Sequence, residues 1–494
     1  MRAPARAAAL GVLTVALVVT GSPAPAAVPT WSAVPAGSAA PSWSAVPVGS
    51  AVPALSPAPA QLPAVLPVAL PTGLPAVLPG ALPAMLPGAS APASVPAILP
   101  TAGKAAKPSR ILLTPTADPA TSQTVSWTMP RKQARQRVQY REVGGAKRTV
   151  RAARRPATTK RSSGTRAPRY SATMTGLRAG TRYQYRILTR GRRTAWREFR
   201  TTDPRGRSVT MIGLGDTQVA NRRVPRRTIR RAVADAPEAS LVLQAGDLVD
   251  RPYRASQWSA LFSAIGGTAR TRNWVVSIGN HEQCVLVTRC RSGRAQAFRS
   301  YFDWPTNGFP DQGETWFWFD HEGVRVVVLD SFGGQMERQA AFLEQALDTN
   351  PQRWSIVLMH APPFATRPGR SNDGVRRLWL PIIEAHDVDL VLSGHDHSYA
   401  RGHLTEDGPV YAVSVSGPKY YQATDADWRA HGATREAWAA ATSTYQVIRI
   451  EGDRLSYEAV VSARGPGSTS PGGPGTVLDR FTITKSPSGV KDVA

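Results

Sequence analysis

Leu241-Val242-Leu243-Gln244-Ala245-Gly246-Asp247-Leu248-Val249-Asp250 is the stretch on which the reading of this chain turns. Its apolar half predicts a short buried strand, and Gly246 permits a tight turn straight after it. Asp247 then stands at the carboxyl end of a strand, where open α/β sheets place their binding sites. The same arrangement recurs along the chain. Apolar runs at 209–214, 274–278, 355–359 and 390–392 lead into Gly215-Asp216-Thr217-Gln218, Gly279-Asn280-His281-Glu282, His360-Ala361-Pro362 and Gly394-His395-Asp396-His397. A further strand is predicted at 324–329, and helical spacing fills 225–234, 335–347 and 374–386. Strands at 410–415, 445–450, 455–461 and 477–484 follow with few helices. Residues 207–487 are therefore expected to form an α/β domain of packed sheets with helices outside.

Working back toward the amino terminus, the texture changes. Thr124-Val125-Ser126-Trp127, Arg137-Val138-Gln139-Tyr140, Tyr170-Ser171-Ala172-Thr173-Met174 and Tyr183-Gln184-Tyr185-Arg186-Ile187 alternate as strands between glycine-containing turns. Residues 108–203 are expected to form a small all-β sandwich.

From Ser22 to Lys107 the chain is dominated by Ala, Pro, Val, Leu, Gly and Ser, with repeated units such as Leu62-Pro63-Ala64-Val65-Leu66-Pro67. Proline removes backbone donors and fixes φ, so residues 28–107 suit an extended linker or stalk, or a tail that only supplies reach. Before it, Arg2 and Arg6, an apolar run over 7–19 and Ala24-Pro25-Ala26 have the layout of a secretory signal over 1–27. The alternative is a retained amino-terminal anchor. Beyond this segment no apolar stretch is long enough to span a bilayer, so export is expected, to the outside or the cell wall. Cys284 and Cys290 are the only cysteines. In an exported chain a close pair suits a disulfide across a surface loop; the alternative, a metal site, lacks histidines at zinc-ligand spacing.

The formal charge of +26 is uneven: residues 104–231 hold 33 Lys/Arg against 5 Asp/Glu, and the remainder is close to neutral. Such a region suits an anionic cell wall, polymer, membrane surface or nucleic acid, or a merely solvated basic face. Interleaved aromatics of a stacking platform are missing, which leaves nucleic acid a place only as substrate.

Gly-Asp, Gly-Asp-x-x, Gly-Asn-His-Glu, a lone His after a strand and Gly-His-x-His occur in that order. This resembles the calcineurin-like metallophosphoesterase superfamily over roughly residues 208–486. The continuation through Tyr399 and Arg401 is similar to the Gly-His-x-His-x-Tyr-x-Arg stretch of purple acid phosphatases, whose catalytic domain follows a sandwich. Gly176-Leu177-Arg178-Ala179-Gly180-Thr181-Arg182-Tyr183-Gln184-Tyr185 and the Trp127 strand in turn resemble a fibronectin type III signature. The resemblance implies a β-sandwich flanked by helices that hydrolyses phosphate esters at two divalent or trivalent metal ions, Fe, Zn or Mn. It assigns Asp247 as the bridging carboxylate, Asp216 and His397 to one ion, and Asn280, His360 and His395 to the other. A carboxylate can bridge two cations, while neutral imidazoles complete each site without over-neutralising it. His281 is assigned to protonate the leaving oxygen or stabilise the transition state; alternatively it only orients Asn280. Arg401 would hold phosphate or form an ion pair.

Two positions depart from the pattern. The superfamily commonly has Asp-x-His where this chain has Asp216-Thr217-Gln218, and purple acid phosphatases have a Tyr where this chain has Asp250. Without that tyrosinate the protein is not expected to be purple. Gln218 offers an amide oxygen to the first ion, a weaker ligand than imidazole for zinc or iron. Two other readings stay open: a nucleotide- or phospholipid-directed phosphodiesterase, and a non-catalytic surface protein working through the basic sandwich.

Overall fold

In the computed structural model, which describes residues 107–155, 167–218, 223–284, 295–308 and 315–494, the apolar runs form strands. Val326 and Val328 of strand Val324–Val328, with Ile356 and Leu358 of strand Trp354–Leu358, enter one core. Their neighbours Val327 and Val357 enter a second core on the other side. Successive side chains leave a strand on opposite faces, so a strand covered on both faces must be apolar at every position. Hence these segments read as unbroken apolar runs.

Among the described residues, two sheets form the carboxy-terminal part. In the first, Ser208–Leu214, Leu241–Gln244 and Asn273–Val276 run parallel, and the sheet continues through antiparallel Thr442–Glu451, Arg454–Arg464 and Val477–Lys485. In the second, Val324–Val328, Trp354–Leu358, Leu390–Ser393 and Val410–Val413 run parallel, with antiparallel Phe317–His321 and Tyr399–His403 alongside. One core holds Ile212, Val242 and Val275 of the first sheet with Val326, Ile356 and Leu390 of the second. Helix Met336–Asp348 packs Phe342 and Leu343 on the second sheet's other face, beside Trp379 and Ile383. Helix Arg223–Asp235 packs on the strands Thr442–Glu451 and Arg454–Arg464. The expected helix-flanked sandwich is the one observed.

Two details differ from expectation. The helix predicted over 374–386 is two helices, Asp373–Leu378 and Leu380–Ala385, broken at Trp379. Pro381 has no N–H to give and crowds the preceding turn, so it opens a new helix instead of continuing the old one. Helix Ala255–Ile265 was not anticipated; its Trp258, Leu261 and Ile265 are buried on one face.

The amino-terminal part is all β, as expected. Trp127 lies at its centre, fully buried and stacked on Tyr170 with ring centroids 6.0 Å apart. It is not a separate bead, because strand Ser109–Thr114 joins the first sheet through a parallel pairing of Leu113 with Asn273. Gln123 Nε2 donates to Asn273 Oδ1 at 2.8 Å across this seam. Nearby, Arg155 and Arg169 both pair with the buried Asp303. Pairing covers an edge that a free sandwich would leave open.

The signal segment at 1–27, the Pro/Ala-rich stretch up to residue 106 and Cys290 lie outside the described residues. No described helix is long and apolar enough to cross a membrane.

Candidate metal centre

Each candidate ligand follows a strand, and the backbone there is bent hard. Asp247 has φ 47°, His395 71° and His397 53°. Two glycines allow the loops to converge. A Cβ on Gly279 would lie 2.1 Å from Asp247 Oδ1, and one on Gly394 would lie 2.3 Å from Asp216 Oδ2. Because these Cβ atoms are missing, backbone amides approach the carboxylates directly. His281 N donates to Asp247 Oδ1 at 3.0 Å, and His395 N donates to Asp216 Oδ2 at 2.6 Å.

The side chains converge into two overlapping groups. Asp247, His360 and His395 form one, and Asp216, Asp247 and His397 the other, with the ligand atoms of each within 4.8 Å of one another. Asp247 belongs to both. His360 Nε2 lies 3.3 Å from Asp247 Oδ2 and 3.2 Å from Asn280 Oδ1, which adds Asn280 to the first group. His397 Nε2 lies 3.5 Å from Asp216 Oδ1. The other ring nitrogens are committed: His360 Nδ1 donates to the Ala245 carbonyl at 2.7 Å and His397 Nδ1 to that of Lys419 at 2.9 Å. A carbonyl only accepts, so each Nδ1 keeps its proton, and in the neutral imidazole Nε2 is the lone-pair donor aimed into the cluster.

The electrostatics describe a site suited to positive charge. Burial works against an ion on His360, but Asp247 and Asp216 override it and push its pKa up to about 9. Burial pushes Asp216 well above the carboxylate range, helped by Asp247 and opposed by His360. Asp247 is held well below that range, since the charges around it, His360 foremost, outweigh its burial. Burial drives His395 well down and His397 to about 3, so both imidazoles are neutral. Asp216 Oδ1 and Gln218 Oε1 are buried with no hydrogen-bond partner. Two orphaned oxygens beside neutral imidazoles fit cations, because an unpaired buried acceptor is costly unless something positive meets it.

The two departures fall apart in space. Gln218 reaches the cluster with its amide nitrogen, which donates to Asp247 Oδ2 at 2.8 Å, and its oxygen is the orphan. Asp250 belongs to neither group. Its carbonyl accepts from His281 Nδ1 at 2.7 Å, and its carboxylate lies 3.7 Å from the same nitrogen. His281 Nε2 lies 3.7 Å from Asp247 Oδ2. Arg401 pairs with Asp479 at 2.7 Å and with Glu436 rather than with any residue of the cluster, so it is an ion-pair residue.

Several neighbours were missed because they lie in loops without strand or helix periodicity. The Tyr421 ring packs on His397 with centroids 4.5 Å apart, and the Arg367 guanidinium lies 4.4 Å from the Tyr421 centroid. Arg370 donates to the His395 carbonyl at 2.6 Å and pairs with buried Asp396 at 2.7 Å, bracing the loop that carries both histidines. Phe332 closes the other side, 5.0 Å from the His395 ring.

Residues 210–399 match the calcineurin-like phosphoesterase family, and residues 108–201 match the purple acid phosphatase N-terminal domain. An uncharacterised Mycobacterium tuberculosis protein is 31% identical over 170 residues, covering 30% of this chain and 32% of that protein. Purple acid phosphatase 18 of Arabidopsis thaliana is 25% identical over 170 residues, covering 33% and 38%. The match thus spans about a third of the length of these curated relatives. A purple acid phosphatase from yellow lupin seeds shares the fold, with TM-score 0.60 and 18% identity over 78% of this chain and 75% of that one. The chain joins a purple acid phosphatase N-terminal domain to a calcineurin-like phosphoesterase domain.

Proposed function

We propose that this chain is an exported metallophosphoesterase that hydrolyses phosphate esters at a two-metal centre. The observation that carries the reading is the pair of overlapping ligand groups sharing Asp247. Asp216, Asp247 and His397 would hold one ion, with Gln218 adjoining, and Asp247, Asn280, His360 and His395 the other. Bound there, two ions supply Lewis acidity toward a phosphoryl group and lower the pKa of water. The chain's own residues do the rest. Backbone amides of His281 and His395 fix the two carboxylates, and the carbonyls of Ala245 and Lys419 set the tautomers of His360 and His397. The His281 side chain is 20% exposed, against 0% for His360 and 2% for His397. It stands on the solvent side, where an ester enters. Its Nδ1 proton is spent on the Asp250 carbonyl, leaving Nε2 to carry a proton to the leaving oxygen.

Export rests on the charged, apolar and small-residue pattern of the first 27 residues, and the Cys284–Cys290 disulfide on their close spacing in an exported chain. The basic region 104–231 would add salt-sensitive contact with anionic polymer. The test is metal-loaded protein assayed against mono- and diesters with Zn, Mn and Fe in turn. Metal-dependent release of phosphate or alcohol supports the reading, and no turnover with any of the three overturns it.

A further inference from the structure

A second polar cavity, of about 400 Å³, opens where the amino-terminal sandwich meets the carboxy-terminal part. Its cationic lining is Lys107, Arg192, Arg193, Arg197 and Arg270, and no carboxylate lines it. Tyr185 and Ile187, both buried, also line it. Among the described residues none of the five cations forms an ion pair with a carboxylate. Elsewhere in this basic domain arginines are neutralised, as in Arg178–Glu142 and Arg182–Glu198. Arg270 Nε is buried with no hydrogen-bond partner. The position is fixed, since Tyr185 Oη donates to the Arg270 carbonyl at 2.9 Å. A larger cavity of about 690 Å³, also at this junction, mixes Arg182, Arg200 and Arg272 with Glu198, Glu238, Glu322 and Glu451, so its cations are matched by carboxylates. Those of the smaller cavity are not.

We infer that this cavity is an anion-binding site, separate from the metal centre, for a compact ligand carrying at least two phosphoryl groups. Arg270 precedes strand Asn273–Val276 and Asn280 follows it, so the two sites lie at opposite ends of one strand. Lys107, Arg193 and Arg197 are exposed and Arg192 and Arg270 half-buried, so five like charges around one opening favour an entering anion. Guanidinium groups are well suited to phosphoryl oxygens, donating paired N–H groups in a plane. The volume lies within the usual range for small-ligand pockets. Buried Tyr185 and Ile187 form the inner side of the lining, where a charged hydrogen bond is least screened by water. Such a ligand reaches the site either free in solution or as a phosphorylated lipid headgroup; the chemistry is shared.

Calorimetry of the metal-loaded protein with methylenediphosphonate, whose P–C–P bridge offers no ester bond to hydrolyse, tests the site. The wild type is expected to show two binding events, one at the metals and one salt-sensitive. In Arg193→Glu/Arg197→Glu the salt-sensitive event should weaken by about tenfold or more, as lost charge-assisted contacts require. Turnover of a small ester should stay within about twofold, since the altered residues lie outside the metal centre; it also reports that the variant is folded. Sedimentation with phosphatidylcholine vesicles containing a phosphatidylinositol bisphosphate distinguishes the sources. Binding that the charge reversal abolishes assigns a headgroup, and diphosphonate binding alone assigns a soluble anion. A single event at the metals with no vesicle binding overturns the inference, as does a second event that charge reversal leaves unchanged.

Discussion

Asp247 occupies left-handed backbone, and its two oxygens meet different partners: the His281 amide on Oδ1, and Gln218 Nε2 and His360 Nε2 on Oδ2. Gln218 is the residue whose role is least conventional. Its amide nitrogen steadies Asp247 while its oxygen is unpartnered, so a half-turn of the amide would exchange a hydrogen bond for a ligand. Gln218→Leu removes both options at similar bulk. Affinity for the ion of Asp216 and His397 is expected to fall roughly tenfold to a hundredfold, the usual cost of losing such a supporting group. Gln218→His should tighten that ion when it is zinc or iron. Metal content by elemental analysis checks both. Full metal content in Gln218→Leu, with one ion lost from Asp250→Asn, would transfer the role to Asp250. The residues of the cluster were legible because each stands directly after an apolar run. Arg370 and Tyr421 were not, since their placement comes from loops folding back on the histidines. Arg401 was legible as a charged residue, but only the fold reveals Asp479 beside it.

At the scale of elements, the site depends on short turns between strand and ligand. Gly394 packs against Asp216 Oδ2 and the Ala245 carbonyl, where a Cβ would lie 2.3 and 2.8 Å away. Gly394→Ala must push the His395–His397 loop outward. A displacement near 1 Å of positioned groups costs about 10² in rate, which is the expected loss in kcat/KM. Stability should fall by about 1–3 kcal/mol, the usual cost of overpacking, read from denaturant midpoints. Unchanged turnover would mean that the loop is not held as described. Strand positions were readable from apolar runs because both faces are covered. The helix break at Trp379 was missed since hydrophobic spacing continues across Pro381, and helix Ala255–Ile265 since its apolar face is narrow.

Across the whole molecule, the two domains share a sheet, and His321 lies at their seam. Its Nδ1 is 2.7 Å from Thr202 Oγ1 and its Nε2 2.8 Å from Ser240 Oγ. Burial pushes its pKa down from 6.5 to about 4. The folded protein therefore holds the neutral imidazole, and the unfolded chain binds the proton first. Stability from this residue is complete above the unfolded value and is lost as pH falls from about 6.5 toward 4, by about 3 kcal/mol at most. His321→Gln should flatten that part of the stability profile; identical pH dependence in variant and wild type would contradict the burial described. The sandwich and its neighbour were each legible as separate textures. Their fusion was not, because one pairing, Leu113 with Asn273, leaves no mark on local periodicity.

The central claim is that one carboxylate serves two ions, and metal stoichiometry measured together with turnover tests it most directly. Wild-type protein should carry two equivalents of metal and hydrolyse a small phosphate ester. Asp247→Asn, shown to be folded by its unfolding transition, should lose at least one equivalent, and kcat/KM should fall by about 10³ or more, the scale of losing a main transition-state stabiliser. A folded Asp247→Asn protein with two bound ions and near-normal turnover would contradict the account.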